Sequence, residues 1–177
     1  MANIITGQTW TLDTLGIIKD GPVVIQRVVF NPAAAGNICR FNFYNKSEAV
    51  TSAAQVNFTG TITDTKTLTT TDGIATGIAA GDIFDIKAST GAAANVGRRL
   101  VESITSNDAI TIVEDNWTNE AAKSYSYDAY TGQLAIYLPA GASDASPVTI
   151  SWGDKGKFFP NLVLTVLSAG TCYIYLK

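Results

Sequence analysis

The chain has 177 residues, two cysteines, no histidine and a formal charge of −3. That length folds as one domain, or as a domain carrying an insert, and buries a core without staples. The missing histidine removes Ser-His and Cys-His nucleophile pairs and the commonest metal ligand, and the negative balance argues against nucleic acid as a partner.

Thr, Val, Ile, Tyr and Phe are abundant and no long stretch carries a helical period, so the expected class is all-β. The start, MANIITGQTWTL, has neither a basic nor an apolar leader region, and every apolar run is strand-length, which predicts no membrane contact. Thr9 to Asp13 alternates polar and apolar residues, as an edge strand or arm does. After the turn signal Asp20-Gly21-Pro22, the run PVVIQRVVF (22–30) is apolar on both faces and predicts a central strand. Asn31-Pro32 opens a loop that closes at Gly36-Asn37. Ile38 to Tyr44 follows, with Cys39, Phe41 and Phe43 on one face. Residues 48–55 allow a helical turn or two.

The character then changes. Thr59, Thr61, Thr63, Thr65, Thr67 and Thr69 alternate strictly, which predicts one solvated threonine face on an extended chain. A flat threonine array can bind ice, but this one is not repeated. Ala80-Gly81-Asp82 is a turn before a short strand, Ile83 to Lys87, and Gly91 to Asn95 is a loose loop. Leu100 to Thr105 and Ala109 to Glu114 predict a hairpin, with Leu100 sharing a face with Ile104, and Ile110 with Ile112. These segments predict a small barrel-like unit of about five strands.

An apolar frame resumes at Gln133. Leu134, Ile136 and Leu138 point one way, and Val148, Ile150 and Trp152 form the next inward set. The run LVLTVLSAGTCYIYLK (162–177) predicts two strands meeting at a Ser168-Ala169-Gly170 turn, with Cys172, Ile174 and Leu176 inward and Thr171, Tyr173 and Tyr175 outward. The predicted architecture is a jelly-roll-like β-sandwich of residues 1–55 and 131–177, interrupted by a small β-domain at 56–130. Charge follows this division: ten acidic against five basic residues in 56–130, and five against seven in the flanks.

No phosphate loop, Ser-Lys pair in context or EF-hand spacing occurs, and the spacing of the two cysteines excludes a CxxC motif. Asp82, Asp85 and Glu114-Asp115-Asn116 are the acids that glycosidase chemistry or calcium would use; turn and strand-end roles use the same positions. Cys39 and Cys172 both point inward, as two buried thiols or as a disulfide. Arg98-Arg99 reads as a solvated basic pair. Tyr125 and Tyr127 lie on one face of a strand, near Trp117 and Tyr130. Such rings bind a protein or a sugar, or pack in the seam between insert and sandwich.

The pattern PVVIQRVVF, a Pro-Ala-Gly-Asn loop, ICRFNFY, and a Phe-Phe-Pro-Asn lead into LVLTVLSAGTCYIYL resembles small β-sandwich virion proteins of tailed bacteriophages. AGDIFDI (80–86) followed by RRLVESITSNDAITIVED (98–115) is similar to small barrel modules of phage head and tail proteins. The insert is a departure from the simplest members. The resemblance implies a non-enzymatic head decoration or cement protein with no cofactor and no catalytic or metal residues, made in the host cytoplasm and sitting on the capsid surface. Its implied partners are the major capsid protein and copies of itself as a dimer or trimer. Trp10, Tyr125, Tyr127, Tyr130, Tyr173 and Tyr175 are the candidate interface residues. A tail or fibre component that recognises the host, and a carbohydrate-binding module, are the alternatives.

Overall fold

The computed structural model describes residues 4–6, 8–47 and 57–177; the predicted helical turn at 48–55 lies outside them. The strands are β1 (Ile4–Thr6), β2 (Thr9–Leu12), β3 (Gly16–Lys19), β4 (Val23–Pro32), β5 (Ile38–Phe43), β6 (Phe58–Ile62), β7 (Thr67–Thr70), β8 (Ile83–Ser89), β9 (Gly97–Ser106), β10 (Ala109–Ile112), β11 (Glu120–Tyr130), β12 (Gln133–Pro139), β13 (Val148–Ser151), β14 (Lys157–Phe159), β15 (Leu162–Leu167) and β16 (Gly170–Leu176). The only helical pieces among the described residues are single 3-10 turns at Ala93–Asn95 and Gly153–Lys155, so the class is all-β. The chain divides into two compact units, residues 1–43 with 133–177 and residues 44–132. The junctions thus fall at 43/44 and 132/133, where the sequence placed them at 55/56 and 130/131.

In the first unit one sheet runs β1-β2-β16-β4-β13, with β14 also paired to β4, and the other runs β12-β5-β15-β3. Numbering β2, β3, β4, β5, β12, β13, β15 and β16 from 1 to 8, the sheets read 1-8-3-6 and 2-7-4-5, a jelly roll. One core lies between them. Trp10, Leu12, Val28, Phe30, Cys172 and Ile174 enter from the first sheet, and Ile18, Cys39, Phe41, Ile136, Leu138 and Leu164 from the second. Burying each large apolar side chain contributes about 1.5–3 kcal/mol.

Three expectations do not hold in this unit. The terminal run is not a hairpin: β15 pairs with β3 and β5, whereas β16 pairs with β2 and β4 in the other sheet. The turn carries the chain across the sandwich because Ser168 is held to β5, its N–H donating to the Ile38 carbonyl at 3.0 Å and its hydroxyl accepting the Ile38 N–H at 2.7 Å. Thr9–Leu12 is not an edge strand, since β2 lies between β1 and β16. Leu134 does not join Ile136 and Leu138. A bulge at Ala135 separates their registers, and Leu134 is left 60% exposed.

The second unit is a closed antiparallel barrel of six strands, in the order β10-β7-β6-β11-β8-β9. Closure removes free sheet edges. Phe58, Leu68, Phe84, Ile86, Ile110 and Ile112 are buried in its core together with Trp117, Tyr125 and Tyr127. The threonine array does not form one extended face. The chain reverses between β6 and β7, where the Asp64 carboxylate accepts the N–H groups of Lys66 (2.7 Å) and Thr67 (2.5 Å), and Thr61 pairs with Thr69 across the hairpin. Leu100 does not share a face with Ile104. A bulge at Glu102 puts Val101 in the barrel core, and Leu100 is buried outside it.

Gly170 has φ +121°, and a Cβ there would strike the Asn31 carbonyl and lie 2.9 Å from Pro32 Cα. Gly170→Ala is expected to destabilise the sandwich by about 1–3 kcal/mol, since both the dihedral and the backbone approach exclude a side chain. A lowered midpoint in urea denaturation checks this; an unchanged midpoint would refute the crossover geometry.

Candidate functional site

On β16 the alternation places Cys172 and Ile174 in the core and turns Tyr173 and Tyr175 to the outer face of the six-stranded sheet. Tyr175 lies between Arg27 of β4 and Thr9 of β2, and Tyr173 between Val29 and Thr11. β4 is kept apolar on its inner side by a bulge at Gln26: Ile25 pairs with Leu176, Arg27 pairs with Tyr175, and both Ile25 and Val28 are buried. The bulge turns Arg27 outward, where its guanidinium stacks 4.0 Å above the Tyr175 ring. Gln26, Arg27, Ser151, Gly153, Asp154 and Tyr175 line a shallow depression of about 210 Å³. Among the described residues Arg27 makes no hydrogen bond or ion pair, so its donor fork faces solvent with only the tyrosine ring holding it. On the same sheet Phe158 of β14, opposite Val24, is 61% exposed. The sandwich unit carries six basic against four acidic side chains, and the barrel unit six against eleven.

The other four candidate interface rings lie in cores. Trp10 is buried in the sandwich. Tyr125 stacks on Phe58 at 5.2 Å, and Tyr127 stacks on Phe84 at 4.9 Å and donates its hydroxyl to the Ile74 carbonyl. Tyr130 is buried against Tyr44 at 5.7 Å. Trp117 is buried too. Periodicity grouped Tyr125 and Tyr127 correctly on one side of β11 but could not tell a lumen from a surface, because both sides of a small barrel strand can hold aromatics.

The acidic side chains singled out in the sequence are engaged structurally. Asp82 accepts the N–H groups of Ala79 and Gly132, both at 2.9 Å. Asp85 is buried and pairs with Lys87 at 2.6 Å and Arg98 at 3.1 Å, and Asp128 holds Lys87 from the facing strand at 3.1 Å. Burial disfavours the Lys87 charge, but hydrogen bonds to Asp85, Tyr130 and Asp128 outweigh it and push the ammonium pKa up. Glu114 accepts the Leu100 N–H at 2.9 Å, and Asp115 takes the Thr65 hydroxyl. Arg98-Arg99 is not a solvated pair: Arg98 is bound to Asp85, and Arg99 donates to Asn116 (2.7 Å) and to the Ala94 carbonyl (3.0 Å). Half-burial lowers the Arg99 pKa.

No family model matches the chain, and no curated protein and no solved structure gives a significant match.

One polar cluster has no sequence signature. The loop at 91–95, expected to be loose, is clamped by Glu120, whose carboxylate accepts the Ala92 N–H (2.6 Å), the Asn95 amide (2.7 Å) and the Tyr125 hydroxyl (2.5 Å). Asn95 is fully buried and also exchanges bonds with the Thr118 backbone, at 2.6 and 2.9 Å. The partners of Glu120 lie from five to 28 residues away, so no local motif announces them.

Burial works to raise the Glu120 pKa, but the bonds from Tyr125, Ala92 and Asn95 prevail and hold it below 4.5. A folded-state pKa below the unfolded one gives stability that is complete above about pH 4.5 and is lost as pH falls through the lower folded value. Glu120→Gln is expected to cost the barrel about 1 kcal/mol at pH 7. It should also reduce the acid-side loss of stability, as read from denaturation midpoints at pH 7 and at successively lower pH. An identical pH profile for the variant would refute the clamp.

Proposed function

We propose that this chain is a non-enzymatic virion structural protein of the tailed-phage head decoration type, one that binds an assembled capsid lattice as an oligomer. The observation that carries the proposal is the outer face of the six-stranded sheet, where an arginine with an unspent donor fork is stacked on Tyr175 and the same sheet carries the exposed Phe158. Arginine and tyrosine are the residue types that dominate protein–protein hot spots, and an aromatic-backed arginine loses little freedom on docking. The jelly roll serves capsid proteins, lectins and cupins alike, so this surface, rather than the fold, supports the reading. The excess positive charge of the sandwich unit suits an acidic shell. Decoration of this kind stabilises by mass action, because it favours the assembled lattice over free subunits and adds many weak contacts. The carbohydrate alternative depends on Trp117 and the tyrosines of β11, whose ring faces are buried.

Purified protein is expected to co-sediment with expanded, undecorated heads at micromolar concentration and to raise their thermal stability. Arg27→Glu should weaken that binding at least about tenfold, the cost of reversing one interfacial charge, while leaving the melting of the free protein unchanged. No binding at micromolar concentration would sink the decoration role, and label appearing on tails alone would replace it with host recognition.

A further inference from the structure

We propose that Cys39 and Cys172 form a redox-gated staple, an intramolecular disulfide that oxidation forms across the sandwich interior and reduction opens. Cys39 lies on β5, paired in register with Leu138 and Leu167 of its own sheet. Cys172 lies on β16, paired with Leu12 and Phe30 of the opposite sheet. Both are fully buried members of the one core between the sheets, and both are free thiols. The crossover between the sheets places them close together: Cys39 is in register with Leu167, Ser168 is held to Ile38, and the chain then turns into the other sheet to reach Cys172. The neighbouring Cys39 thiol together with burial pushes the Cys172 pKa up.

The surroundings narrow what such a pair can do. The residues in register with the thiols are apolar and supply no base to activate a nucleophile. The chain has no histidine and no third cysteine to complete a soft-metal site. What two neighbouring buried thiols on facing sheets can do is join, as the inter-sheet disulfide of immunoglobulin domains joins two strands across a sandwich. The bond would tie β5 to β16, far apart in sequence, so it closes a long loop and removes much freedom from the unfolded chain.

The chemistry balances with a small disulfide, such as oxidised glutathione, as the oxidant. One protein thiolate attacks it and releases one glutathione thiol. The second protein thiol then displaces the other, so two protein S–H bonds and one oxidant S–S bond are exchanged for one protein S–S bond and two small thiols. Because both thiols are fully buried, exchange runs through the folding chain or through opening of the sheets. A reducing compartment therefore keeps the dithiol, and an oxidising one sets the bridge. The staple does not depend on the proposed function.

The test uses the full chain, unfolded in urea and refolded with either reduced or oxidised glutathione. Under oxidising conditions the mass should fall by about 2 Da, the two hydrogens lost on making one S–S bond. Peptide mapping should join the Cys39 and Cys172 peptides. The melting temperature should rise by roughly 5 °C or more, reversibly with dithiothreitol. Cys39→Ala and Cys172→Ala should each abolish the redox dependence; if either fails to fold, thiol counting by alkylation on the unaltered chain decides the matter. Two thiols alkylated on denaturing protein that had refolded under oxidising conditions, or a bridged form that melts lower than the dithiol, would overturn the proposal.

Discussion

The sandwich depends on one placement: β16 lies between β2 and β4. Its backbone bonds reach strands made near the start of the chain, and its inward residues, Cys172 and Ile174, fill the middle of the core. No local hairpin prepares this pairing, since β15 belongs to the opposite sheet. The order of the jelly roll thus rests on contacts distant in sequence, which cost loop entropy before they return any burial. The same placement sets Tyr175 beside Arg27 and brings Cys172 to Cys39, so the surface feature and the buried thiol pair share one structural cause.

The place of the barrel in the chain follows from the same geometry. β5 and β12 are antiparallel neighbours, with Phe43 opposite Gln133, so residues 44–132 leave and re-enter the sandwich at adjacent points. An insert whose ends are already close costs the host fold little, because extra loop length adds entropy only logarithmically. The barrel closes its own sheet and buries its own aromatic core, which makes residues 44–132 a compact unit rather than a long loop.

Bulges at Gln26, Lys87, Glu102, Ala135 and Thr165 decide which side chains face in. Each shifts the two-residue alternation by one. At Gln26 the shift keeps Arg27 out of the core, whereas at Ala135 it leaves Leu134 exposed. At Lys87 the bulge delivers an ammonium to Asp85 and Asp128, and at Gln26 it delivers a guanidinium to the Tyr175 ring. Strict alternation read the faces of β16 and the Ile110/Ile112 pair of β10 correctly. It failed at Leu134 and Leu100, each just across a bulge that leaves no mark in residue type.

Residue type and period alone establish the all-β class, the change of character between the apolar frame and the threonine-rich middle, the inward set on β16 and the outward Tyr173 and Tyr175. These signals act within a few neighbours and are therefore legible along the chain. Folding in three dimensions was needed to put the final two strands in different sheets, to make Trp10, Tyr125, Tyr127 and Tyr130 core, to clamp the 91–95 loop with Glu120, and to bring Cys39 to Cys172. Each of those depends on which strands become neighbours across long stretches of chain. Pairing at that range is set by the summed burial and hydrogen bonding of whole sheets, and no window along the sequence carries it.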